Sequence, residues 1–142
     1  MDQGTDIERQ LRAAGLRVTV QRVAVLTAVS RHPHADTSSI IDAARVSVPD
    51  LSHQAVYDAL RTLTGVGLLR CIEPAGMVAR YEARTGDNHH HLICRSCGAI
   101  ADVECAVGHA PCLVPADGQG FVVDEAEVVY WGRCPACASA AS

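Results

Sequence analysis

No stretch of this chain is apolar for long enough to cross a bilayer, which takes about 20 consecutive residues. Nor does it open like a secretory leader: Met1–Arg12 is polar, and acidic from Asp2 onward. Both absences lead to the expectation of a cytoplasmic protein with no membrane association. Lysine is missing altogether, so every basic residue is arginine. That bias matches an Arg- and Ala-rich coding preference and carries nothing about mechanism. Missing too is any pairing of a nucleophile with a general base, which argues against an enzyme.

What the chain has in excess is cysteine. Seven occur in 142 residues, and four of them form two C-x-x-C pairs. An odd count without a leader fits metal ligation better than a disulfide framework. The net charge of −4 is divided unevenly. Residues 1–86 carry ten Arg against nine Asp and Glu, whereas residues 87–142 carry two Arg against seven acids. That asymmetry fits a DNA-facing first half and an acidic, metal-attracting second half, although on charge alone ordinary surface variation explains it equally well. A chain this short makes one domain or two small ones, and a small half needs a metal staple or a dimer interface.

The first half reads as helices. Ile7 and Leu11 share a face between Asp6 and Ala14, with Gly15 as the stop. Thr19 suits the N-cap of a helix with Val23, Leu26 and Val29 on one side, and Asp36 that of a third with Ile40, Ile41 and Ala44. Ser52 suits the cap of a fourth, with Val56, Leu60 and Leu63 at helical spacing, ending near Gly65 or Gly67. The period then shortens. Leu68–Glu73, the turn Pro74-Ala75-Gly76 and Met77–Glu82 read as a two-stranded hairpin. Helices followed by such a hairpin give the order of a winged helix. Arg84–Asn88 is a polar hinge.

The second half reads as strands over His91–Cys94, Ala99–Val103 and a long segment Phe121–Trp131, while the Gly- and Pro-rich Cys105–Gly120 has no assignment. The strongest signal is the pair of knuckles Cys94-Arg95-Ser96-Cys97 and Cys134-Pro135-Ala136-Cys137. Two such turns facing one ion make a closed tetrahedral site, the structural Zn²⁺ arrangement. Redox-active dithiols are the competing reading. They call for one pair at a helix start near a βαβ pattern, a setting expected of neither pair.

His89-His90-His91 precedes the first knuckle. On a strand, His89 and His91 share one face and His90 takes the other. With Glu82, Asp102 and His34 as further candidates, imidazole and carboxylate donors suit Fe²⁺, Mn²⁺ or Zn²⁺. Incidental histidines in a solvated hinge are the bland alternative, which three in a row beside a knuckle disfavour. Cys71 reads as a small core residue. Cys105 and Cys112 stay open between buried fillers, an auxiliary metal site and oxidisable thiols.

Four segments carry a family resemblance: Leu16-Arg17-Val18-Thr19-Val20-Gln21-Arg22, Ser52–Leu60, Asn88–Gly98, and the closing Cys134–Cys137 pair. In this order they span nearly the whole chain. The sequence resembles the ferric uptake regulator (Fur) family, and especially its actinobacterial, peroxide-sensing branch, whose members commonly control a catalase-peroxidase. The resemblance implies an α+β protein: a winged-helix DNA-binding domain over 1–84, a hinge over 85–88, and a small α/β dimerisation domain with a four-cysteine zinc site over 89–142. It implies structural Zn²⁺ on Cys94, Cys97, Cys134 and Cys137. It further implies a regulatory site of His34, Glu82, His89, His91 and Asp102 for Fe²⁺ or Mn²⁺, with Zn²⁺ able to replace them in vitro. His32 is the rival to His34. Asp102 stands where peroxide sensors tend to carry Asp and iron sensors Glu.

The function so implied is metal-dependent repression by a homodimer on a double-stranded DNA operator. Tyr57, Ser52 and Gln54 of the recognition helix, with Arg17, Arg22 and Arg61, are the expected DNA contacts. Two departures stand out. Asn88 and Ala126 replace the histidines of a third metal site found in many relatives, and Asp58 stands where several relatives carry Arg. The competing functions are an iron- or zinc-uptake repressor without peroxide sensing, and a zinc-dependent enzyme with an open coordination position. A bare zinc-ribbon module leaves the helical half unexplained.

Overall fold

The computed structural model describes residues 3–74, 76–83, 85, 89–105, 107 and 111–140. No helix among them is long and apolar enough to cross a membrane. The chain divides into two compact units, Met1–Thr85 and Gly86–Ser142.

In the first unit, α1 (Gln3–Ala13), α2 (Val20–Arg31), α3 (Thr37–Ala44) and α4 (His53–Gly65) surround one core. Each of the three expected caps is made. Thr19 Oγ1 accepts from the Arg22 amide at 3.2 Å, Asp36 Oδ1 from Ser39 at 2.9 Å, and Ser52 Oγ from Ala55 at 3.1 Å. Each satisfies an amide that the first helical turn leaves without a partner. α2 packs against α1, α3 and α4. Leu11, Val25, Leu26, Val29, Ile40, Val56, Leu60 and Leu63 are buried there almost completely. Each such side chain contributes about 1.5–3 kcal/mol on leaving water.

The wing is shorter than the apolar pattern suggests. Strands form over Arg70–Ile72 (β2) and Arg80–Glu82 (β3), not over the whole of Leu68–Glu73 and Met77–Glu82. The turn closes with the Met77 amide on the Pro74 carbonyl at 3.0 Å, Ala75 lying outside the described residues. A two-residue strand, β1 (Ala35–Asp36), pairs antiparallel with β3 and completes a sheet in the order β1-β3-β2. Two residues are too few to show a period of two, so β1 escapes sequence reading. Of the expected hinge 85–88, residues 86–88 lie outside the described residues.

The second unit is built on β4 (His89–Cys94), flanked antiparallel by β5 (Ile100–Glu104) and parallel by β6 (Val129–Gly132). The long strand expected over Phe121–Trp131 is confined to its end. The β4–β6 register begins at His91 and Val129. It carries residues 121–126 past the first residue of β4, off the ladder. Their β-prone run Phe121-Val122-Val123 has no place in the strand ladder, and Phe121 and Val122 are exposed. A short helix, α5 (Pro135–Ala140), closes the described chain. Pro135 at its first position is pre-set for helix entry.

Candidate metal centres

The two knuckles converge. Cys94 ends β4, and its chain turns back through Gly98 at φ 78°, a left-handed conformation that favours glycine. The Gly98 amide reaches the Cys94 carbonyl at 3.0 Å. Cys134 precedes α5, and the Ala138 amide donates to its carbonyl at 2.8 Å. The second pair thus does open a helix, contrary to the sequence expectation. It does not act as an isolated dithiol, because all four sulfurs lie within 4.8 Å of one another. Cys97 Sγ and Cys134 Sγ are 3.7 Å apart. A tetrahedron with Zn–S bonds of about 2.3 Å has edges of about 3.8 Å, so the donor set fits the ion.

The thiol acidities point the same way. The Cys134 amide, followed by that of Cys97, lowers the Cys94 thiol to about 6. Hydrogen bonding to Cys134, then to Cys94 and Cys97, pushes Cys137 up to about 12. One negative charge is held easily, and the last is not. A bound cation removes that opposition.

The imidazole and carboxylate donors fall into two sets, one per unit. In the first unit, His34 sits between α2 and β1 at φ 66°, a strained conformation for a residue with a side chain. Its amide donates to the Tyr81 carbonyl at 2.9 Å, and Arg80 Nη1 donates to its carbonyl at 3.1 Å. Held to β3 in this way, it places Nε2 3.4 Å from Glu82 Oε2, with Glu82 buried. The rival His32 ends α2 as its C-cap and is exposed.

In the second unit, His91 and Asp102 are register partners on β4 and β5. The Nε2 atoms of His91 and His89 approach Asp102 Oδ1 at 3.5 and 3.8 Å, with the two rings edge to face. His90 takes the other face, as the period of two requires. There its Nε2 lies 3.2 Å from Cys112 Sγ. No feature of the unassigned loop placed Cys112 against the histidine run.

The expected DNA contacts occupy the first unit. Gln54, Tyr57 and Arg61 follow one another along the outer face of α4, opposite Val56, Leu60 and Leu63. Ser52 Oγ accepts the Ala55 amide as the helix cap, which leaves its hydroxyl proton to donate, and the residue is exposed. Asp58 accepts from Gln54 Nε2 at 2.9 Å and lies 3.8 Å from Arg61, so its charge is answered within the helix. Arg22 Nη1 donates to the Arg17 carbonyl at 2.8 Å, bracing the turn into α2.

Comparison with known proteins decides the family. Residues 13–111 match the model of the ferric uptake regulator family.

The chain belongs to the ferric uptake regulator family.

The transcriptional regulator FurA of Mycobacterium bovis is 64% identical over 132 residues, covering 93% of this chain and 90% of that protein. The peroxide-responsive repressor PerR of Staphylococcus aureus is 34% identical over 95 residues, covering 66% of this chain and 64% of that one. The structure of the Helicobacter pylori ferric uptake regulator superposes with a TM-score of 0.74 at 21% identity, covering 99% of this chain and 97% of that one. This places the protein among transcriptional repressors of the Fur family and sets aside the zinc-dependent enzyme. The α+β expectation with its four-cysteine cluster agrees with the Fur fold.

Proposed function

We propose that the protein is a homodimeric repressor that binds a double-stranded DNA operator in its metal-loaded form and releases it in response to iron loss or peroxide. Catalase-peroxidase genes, or others of iron and oxidative stress, are the proposed targets. The observation that carries the reading is the pair of donor sets, His34 with Glu82 and His89 with His91 and Asp102. We assign both sets to one regulatory Fe²⁺ or Mn²⁺, and the four cysteines to structural Zn²⁺.

Bound Fe²⁺ supplies a shared positive charge and a redox partner for peroxide; Mn²⁺ supplies the charge alone. The protein's part is orientation. β3 and the strained His34 backbone fix one set of donors, and the β4–β5 register fixes the other. Joining sets from residues 1–84 and 89–142 selects one arrangement of the two domains, a population shift worth about 1–3 kcal/mol in typical coupled systems. In that arrangement the α4 helices of a dimer enter successive major grooves. Tyr57 meets a thymine methyl, Gln54 a base edge, and Arg17 and Arg22 the phosphates. Asp102 as the carboxylate, and the likeness to PerR, support peroxide sensing within this scheme.

Metal analysis combined with selection of duplexes from a random pool, in Fe²⁺, Mn²⁺ and Zn²⁺, tests the reading. Enrichment of one palindromic sequence only with the second ion is the expected result. Enrichment of none under any metal would overturn it.

A further inference from the structure

The loop between β5 and β6 carries two thiols that the scheme above leaves unused. Cys105 follows β5 directly, Cys112 lies seven residues further on, and His90 faces them from β4. One ligand atom from each of the three lies within 4.8 Å of the others. We infer that Cys105, Cys112 and His90 form a second thiolate metal site, selective for Zn²⁺ or a similarly soft ion and separate from the four-cysteine cluster.

The geometry suits this assignment. His90 is buried, and the two cysteines are partly so, which limits competition from water. Zn–S and Zn–N bonds of about 2.3 and 2.0 Å put tetrahedral N and S donors about 3.5 Å apart. The 3.2 Å between His90 Nε2 and Cys112 Sγ is near that spacing. Burial, with hydrogen bonding to Cys105 next, keeps the Cys112 thiol above its ordinary range.

Zn²⁺ entry breaks two S–H bonds, releases two protons, and leaves both thiolates and the imidazole as donors, with one coordination position open. Ligation through Nε2 leaves the ring proton on Nδ1. The Val128 amide now approaches Nδ1 at 3.4 Å, a contact at the far edge of hydrogen bonding that is given up on loading. The donors differ from those of the histidine-rich third site of many Fur relatives, which this sequence lacks at Asn88 and Ala126. Two sulfurs instead select against Fe²⁺ and Mn²⁺. The consequence is a staple that ties a Gly- and Pro-rich loop to the strand bearing His89 and His91.

The test compares the full-length protein with a Cys105→Ser/Cys112→Ser double variant and with His90→Gln. Each is titrated with Zn²⁺ and with Co²⁺, with metal analysis and the thiolate-to-cobalt charge-transfer band as readouts. The wild type should bind one more ion per chain than the double variant and show the larger band. His90→Gln should bind that ion at least tenfold more weakly. Protection of the wild type needs no variant: Zn²⁺ should slow alkylation of Cys105 and Cys112 by iodoacetamide. Equal stoichiometry in wild type and double variant, with alkylation indifferent to Zn²⁺, would overturn the site. So would a Cys105–Cys112 disulfide that forms equally with and without Zn²⁺.

Discussion

His91 Nε2 lies 3.5 Å from Asp102 Oδ1 because the two residues face each other across the β4–β5 ladder. A one-residue slip in that register would send Asp102 to the opposite face and leave the histidine without a carboxylate. The knuckle that pins the register, Cys94–Gly98, joins the same two strands. A metal ion held by the four cysteines would therefore underwrite the geometry of the neighbouring donors.

Replacing Cys94 or Cys137 with Ser should release the structural zinc and unfold the second unit, since ion binding there is folding energy. Metal analysis and far-ultraviolet circular dichroism check this, together with gel filtration for loss of dimers. A folded dimer without zinc in either variant would count against it.

Tyr57→Ala should weaken binding to the selected operator by about 1–3 kcal/mol while leaving the fold intact, because its ring lies on the exposed face of α4. Arg17→Ala should weaken all duplexes alike and lower the salt slope. Arg22→Ala should do so too, with an added stability cost, since Arg22 also holds the Arg17 carbonyl. Footprints and salt titrations separate these effects, and an unchanged affinity for Tyr57→Ala would remove α4 from the interface.

Asp36→Ala should cost about 1 kcal/mol of stability at neutral pH through loss of the α3 cap. The Ser39 amide, donating to the Asp36 carboxylate, holds its pKa below the ordinary 3.8. The folded state thus favours the ionised form, and the contribution is fully present above the ordinary value. It is lost as pH falls through the depressed one. The gap between wild type and variant in urea titrations should close in acid; a gap that stays constant would deny the charged cap.

These outcomes mark what was legible in the residues. Thr19, Asp36 and Ser52 announced three helices because a cap is a local event, decided by one side chain and an amide three residues away. The two C-x-x-C turns announced a tetrahedral site for the same reason. β1 and the truncation of the Phe121–Trp131 strand were not legible, because pairing depends on a distant partner. Residues 121–126 open with the β-prone run Phe121-Val122-Val123, yet the β4–β6 register leaves them no place on the ladder. α5 does carry a local signal, Pro135 followed by an alanine-rich run. The meeting of His90 with Cys112 had none, since it depends on how a loop without periodicity returns to β4.

Peroxide treatment of the iron-loaded protein should add one oxygen atom to His34 or His89, peroxide leaving as water, and should abolish operator binding. The manganese-loaded protein should keep both its mass and its DNA. Peptide mass spectrometry reads the site. DNA release without oxygen on any histidine, prevented by the Cys105/Cys112 double replacement, would move the sensor to the thiols.

The most direct test of the metal-dependent switch is fluorescence anisotropy on the selected operator, using protein that retains its four-cysteine zinc, with and without Mn²⁺. The account predicts tight binding only with Mn²⁺, and loss of that response in His91→Ala even though the zinc stays bound. Equally tight binding by the zinc-only protein, or an undiminished Mn²⁺ response in His91→Ala, would contradict it.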